Sequence, residues 1–378
     1  MKILTSCSLK SKFRTLAFIC LGISLLSLNT GYASDDVEIH LDAIRGIKAI
    51  DDDEKLKKFN QQLDTAWSYF KASKEESNPI LERELELELE RRLPNDFFLL
   101  DIGYFLYLHG NEAQRVLAKR ALYSLDASKK IIQFNLRQLF DFSYNVAADR
   151  DPKILSFLND TFLTNQEQSL FIPMHSMRLD PTLICVFLYG IYGEGAEDAL
   201  MAQLTKTSQP NRIIEILSWI GSEKSSYAVE IAMYKNKNYD TLARAVSFFM
   251  TVAGKKGNQI LSSFNPEGFD KESQEYYQKI REPIRKVSFE SIYKQLESFP
   301  GDKRLSDRQL KVRLDEMYNN FGKDQKTSPL AILNSSMAKT DLIEQLKKIR
   351  SRTFYRLSDE ALSDVKITNA LINALYYK

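Results

Sequence analysis

The chain has 378 residues, of which 44% are hydrophobic and 27% charged, with 52 basic against 50 acidic side chains. That length and apolar content are enough to bury a sizeable core, and the basic stretches are not interleaved with a recognisable nucleic-acid motif. Fourteen glycines and ten prolines are too few for a protein of strands and tight turns, so an all-α fold is expected.

Lys2, Lys10, Lys12 and Arg14 precede a charge-free run from Thr15 to Leu28. A basic stretch followed by about fourteen apolar residues is the pattern of a secretory signal. It falls short of the ~20 residues that a membrane-spanning helix needs. Gly31 and Ala33 are small at the two positions a signal peptidase reads, so cleavage is expected between Ala33 and Ser34. The alternative is an uncleaved anchor. A lipoprotein is disfavoured, because Cys20 follows the bulky Ile19 and Cys7 precedes the apolar run. Loss of residues 1–33 removes four positive charges and takes the formal net charge from +2 to −2. It also leaves Cys185 alone in the apolar run LICVFLYGI. An exported domain with a single cysteine must be stabilised by its core, with Cys185 as a small buried hydrophobe. No later apolar run reaches membrane-spanning length.

Residues 34–96 form an acidic N-terminal helical segment. DDDEKLKK at 51–58 reads as a helix start, with acids at the positive end of the dipole. LERELELELERR at 81–92 alternates as a strand would, but Glu, Leu and Arg favour helix. The expectation is helix, with an edge strand as the alternative.

A pattern of two amphipathic helices joined by a Gly-containing turn then occurs three times. The first copy runs from Leu183, Val186, Phe187 and Gly190 through Gly193 to Ala196, Ala199 and Leu200. The second runs from Ile213, Ile216, Leu217 and Ile220 through Gly221 to Tyr227, Ala228, Ile231 and Ala232. The third runs from Leu242, Ala245, Val246 and Phe249 through Gly254 to Ile260, Leu261 and Phe264. The spacing i, i+3, i+4, i+7 marks one helical face. Trp219, in the second copy, is expected to be mostly buried between neighbouring hairpins. A weaker copy joins Leu99, Ile102 and Leu106, past Gly110, to Ala113, Leu117 and Ala121, and another hairpin turns at Asp149 to Pro152. Helix pairs of this length bury both faces only by stacking on neighbours. Over residues 97–264 the chain therefore resembles the HEAT-like class of helical repeats, and DIGYFLYLHGNEAQRVLAKRAL is similar to a tetratricopeptide repeat. The resemblance implies a helical-hairpin solenoid, an architecture suited to extended binding surfaces.

Residues 265–378 form a C-terminal basic helical region. Pro266, Pro283, Pro300 and Pro329 imply broken helices and longer loops, and a last helix pair is expected from Asp341 to Arg352 and from Asp359 to Tyr376. Residues 34–100 carry 17 acids and 10 bases, whereas residues 271–356 carry 19 bases and 12 acids. Lys347, Lys348, Arg350, Arg352 and Arg356 are the candidate partner-binding residues, facing an acidic protein surface or anionic envelope component. The bland reading of the same charges is a solvated helix face.

Chemistry is hard to find. His40, His109 and His175 are the only histidines, and none has a second ligand at metal spacing. His109 sits beside the turn Gly110, and His175 lies in a connection that could form a binding loop. HExxH, CxxC, GxSxG and GxxxxGK[ST] are absent. No cofactor, no metal and no nucleic-acid partner is expected. The sequence reads as an exported, non-catalytic scaffold for a protein or peptide, periplasmic in the first reading and fully secreted in the alternative. An envelope hydrolase with paired carboxylates in a helical groove and an immunity or inhibitor protein are the alternatives.

Overall fold

The apolar stripes fold as helices that pair in chain order. The computed structural model describes residues 33–46, 53–125, 136–163, 172–174, 177–179, 181–288, 338–357 and 359–377. Residues 1–32, His175, Pro300 and Pro329 lie outside the described residues. Among the described residues are sixteen α-helices and a single hairpin of two three-residue strands. The chain is all-α.

The N-terminal part contains α1 (Ala33–Arg45), α2 (Asp53–Ala72) and α3 (Lys74–Leu89). The alternating Glu-Leu run is helical in α3. Leu81 and Leu85 are buried one turn apart, and the buried Glu84 is met by Arg45 and Arg83 at 2.5 and 2.7 Å. Next come α4 (Asp96–His109) and α5 (Glu112–Tyr123). Asn95 caps α4 by accepting from the Phe97 and Phe98 amides. Asn111 and Gln114 form a reciprocal capping box on α5. These caps explain why the chain reverses at Gly110, where an added Cβ would crowd the Leu106 carbonyl at 2.5 Å.

Helices α6 (Leu136–Ala148) and α7 (Lys153–Leu158) lead to the hairpin β1 (Ile172–Met174) and β2 (Met177–Leu179). The strands are antiparallel, with Ile172 opposite Leu179. The three clear repeats follow as α8 (Pro181–Tyr192) with α9 (Ala196–Leu204), α10 (Asn211–Ile220) with α11 (Ser226–Asn236), and α12 (Tyr239–Thr251) with α13 (Gly254–Ser263). Their opening helices pack side by side, α6 on α8, α8 on α10 and α10 on α12. Helix α14 (Lys271–Arg285) continues the stack against α12 and α13.

The last pair, α15 (Lys339–Thr353) and α16 (Asp359–Tyr377), returns to the repeats. Helix α15 packs on α8, and α16 packs on α10, α12 and α13. Phe354, between the two helices, is fully buried with its ring edge-on to Phe187 at 5.7 Å. Gly190 makes room for it, because a Cβ there would overlap the Phe354 ring. Tyr376 seats against Gly254, whose φ of +55° also favours glycine. One continuous apolar core runs from Val37, Leu41 and Ile44 on α1 to Phe354 and Val365. A second cluster, built from Leu342, Ile343 and Leu346 on α15 and Ile367, Leu371, Ile372 and Leu375 on α16, fills the space between the last two helices. Cys185 is buried within it, as expected.

Candidate functional site

Helix α10 has two faces. Ile213, Ile216, Leu217 and Ile220 point into the core, which leaves Glu215, Ser218 and Trp219 one turn apart on the other side. On α12 the stripe Ala243, Ser247 and Met250, flanked by Arg244 and Thr251, faces the same space. Helix α16 closes it with Lys366, Asn369, Ala370 and Asn373 at i, i+3, i+4, i+7. The three helices enclose a cleft of about 480 Å³, within the size range of ligand sites.

Trp219 is half-buried, with the Lys366 ammonium 5.2 Å from its ring centroid. Less of the indole is exposed than covered, as expected, but it lies on the face of α10 opposite the isoleucines, toward α12 and α16. Arg244 Nε meets Glu215 Oε2 at 3.4 Å on the rim. Trp219, Met250, Ala243 and Ala370 supply apolar surface between these charges.

The polar floor comes from the C-terminal helix. Asn369 Nδ2 donates to the Trp219 carbonyl and Asn373 Nδ2 to the Met250 carbonyl, both at 2.8 Å. These carbonyls belong to the last turns of α10 and α12, where helices leave acceptors without internal donors. Asn373 is 4% exposed, and its Oδ1 has no hydrogen-bond partner. It is an acceptor at the cleft that a bound N–H group would satisfy.

The sequence-predicted basic residues do not form one face. Arg350 is 5% exposed. Its Nη1 donates to the Gly221 carbonyl at 2.9 Å and Asn369 Oδ1 at 2.7 Å, and its Nη2 donates to the Ile220 carbonyl. Its reading as a residue on an exposed binding face is therefore corrected, because a guanidinium fork satisfies the end of α10 where water does not reach. Burial lowers its pKa to about 10, opposed by the charge of Glu197, so it stays cationic at neutral pH. Arg356 pairs with the buried Asp364. Lys347 pairs with Glu344 at 2.9 Å. Lys348 and Arg352, four residues apart, remain exposed. Ala33 and Ser34 are the first two residues of α1.

His109 packs its ring against Phe105 at 4.9 Å, and burial lowers its pKa. Among the described residues, no group of three His, Cys, Asp or Glu side chains is arranged to hold a metal. Nor is any helix among them long and apolar enough to cross a membrane. The cleft itself was missed by sequence reasoning. One signal was visible: Asn369 and Asn373 interrupt the apolar run ITNALINAL at i, i+4, where a buried amide needs a partner. Comparison of the chain with protein-family models, curated proteins and solved structures finds no match.

Proposed function

We propose that the chain is an exported helical-repeat scaffold of the bacterial envelope that binds a peptide segment of a protein partner without catalysis. The observation that carries this reading is the cleft between α10, α12 and α16. A partly buried indole lies there beside a methionine, rimmed by one ion pair and floored by an unpartnered amide oxygen. Apolar side chains of a peptide would cover Trp219 and Met250, while a backbone N–H would meet Asn373 Oδ1. The basic stretch and charge-free run at residues 2–28 support export and a periplasmic location. Glu215 is the acid lining this cleft, and its contact with Arg244 favours binding over the paired-acid chemistry of a hydrolase. Lys348 and Arg352 remain the exposed positions for an acidic envelope component.

The test is a photo-crosslinking amino acid at Ser247, activated in intact cells and followed by peptide mass spectrometry. A covalent adduct to a protein partner is expected. It should weaken at least about tenfold with Trp219→Ala, as for loss of an aromatic anchor. An adduct unchanged by Trp219→Ala, or envelope-polymer cleavage that depends on Glu215, would overturn the reading. If the partner is an exported toxin whose activity the protein blocks, the inhibitor alternative takes over from the scaffold.

A further inference from the structure

A second cleft, of about 900 Å³, lies between α2, α4 and α6, remote in sequence from the one above. Helix α2 contributes Asp64, Trp67, Ser68 and Lys71 at i, i+3, i+4, i+7, while α4 contributes Asp101, Tyr104 and Leu108, and α6 contributes Arg137, Gln138 and Asp141. Asp101 stands in the middle of an otherwise apolar helix and is 1% exposed. Its Oδ1 accepts from Trp67 Nε1 at 3.0 Å and from Gln138 Nε2 at 2.6 Å. Its Oδ2 is buried and has no hydrogen-bond partner.

Two neutral donors on one oxygen leave the carboxylate without a counter-charge. A buried acceptor left unmade is costly, and more so when it is charged. The groups around it indicate what would complete it. The Trp67 ring lies 5.6 Å from Tyr104 and 6.4 Å from His109, so aromatic surface lines the approach. The cations of this cleft, Lys71 and Arg137, are on its exposed rim, and Arg137 Nε is 3.9 Å from Asp141. The negative group thus lies at the floor, beside aromatic faces, with the protein's own cations kept outside. Aromatic walls with a desolvated anion favour an organic cation over a neutral hydroxyl compound.

We propose that this cleft binds a primary alkylammonium group, with Asp101 Oδ2 accepting its N–H and Trp67 and Tyr104 forming its walls. The site stands independently of the peptide cleft. Burial raises the Asp101 carboxyl to about 6, which adds a pH signature. A ligand cation must lower that value, so binding weakens as Asp101 takes up a proton below about pH 6. The other charged groups facing the cleft are Asp64 and Lys71 on α2, His109 on α4, and Arg137 and Asp141 on α6. His109 is held neutral further into the acid range by its lowered pKa.

The probe is 1,4-diaminobutane, compared with its neutral isostere 1,4-butanediol, on the full chain carrying Trp219→Phe so that Trp67 is the only tryptophan. Saturable change of Trp67 fluorescence by the diamine, and none by the diol, is expected. Asp101→Asn should weaken diamine binding by about tenfold or more, since it removes a charge-assisted hydrogen bond. Equal binding of the diol, undiminished binding by Asp101→Asn, or no response to the diamine would overturn the assignment. Should Asp101→Asn fail to fold, carboxyl ¹³C NMR of the Trp219→Phe protein decides instead. Asp101 should titrate near 6 alone and lower with saturating diamine, and an unmoved titration refutes the site.

Discussion

Removing Arg350 tests the claim that the C-terminal hairpin holds the repeat stack together. In Arg350→Ala the carbonyls of Ile220 and Gly221 lose their donor, as does Asn369 Oδ1, all in a region where the guanidinium is buried. An orphaned buried acceptor costs about 1–3 kcal/mol. For the three acceptors together that is about 3–9 kcal/mol, and water entering the vacated space offsets part of it, which leaves a loss of about 3–5 kcal/mol. Arg350→Lys keeps the charge but replaces the fork with a compact ammonium, and about 1–3 kcal/mol should be lost. Urea unfolding followed by far-UV circular dichroism at pH 7 measures both. Asn369→Ala combined with Arg350→Ala should cost less than the sum of the single changes, because the two side chains share the 2.7 Å hydrogen bond. Lys348→Glu and Arg352→Glu, on the exposed side of the same helix, should each stay within about 0.5 kcal/mol. A loss below ~1 kcal/mol for Arg350→Ala with an unchanged m-value would refute the reasoning.

Asp101 gives a prediction with a definite sign. Its carboxyl titrates at about 6 rather than 3.8 because it is buried, so between these values the folded chain binds the proton that the unfolded chain releases. Its stabilising contribution is present below about pH 4 and is lost as pH rises through 6, by about 3 kcal/mol at 1.36 kcal/mol per pH unit. Asp101→Asn should flatten that slope in urea titrations run from pH 4 to 7, and parallel profiles would refute it. Gly190→Ala should destabilise by about 1–3 kcal/mol through overpacking against Phe354, and Phe354→Leu in the same chain should recover part of the loss in thermal melts. Trp219→Ala should cost about 1–2 kcal/mol, less than a fully buried aromatic. A loss above ~3 kcal/mol in urea unfolding would show that the indole is part of the core.

The helices and their pairing were legible in the sequence, because periodicity, caps and turn glycines are local. The spacing of Leu183, Val186, Phe187 and Gly190 specifies a helix whatever lies beyond it, and Asn111 with Gln114 marks a start within four residues. The fate of α3 was also local: leucines four apart cover one helical face, so the alternating pattern did not require a strand. Which polar side chains turn inward was decided by partners far along the chain. Arg350 lies 129 positions from Gly221, and Asn369 and Asn373 lie 150 and 123 from the carbonyls they meet. From composition alone Arg350 belonged with Lys348 and Arg352. Only the packing of the C-terminal pair across the ends of α10 and α12 separates them, because helix ends expose carbonyls that a buried guanidinium or amide can satisfy. The same packing makes the cleft at Trp219. The indole's helix fixes its direction, but α16 supplies the wall that closes the cleft beside it.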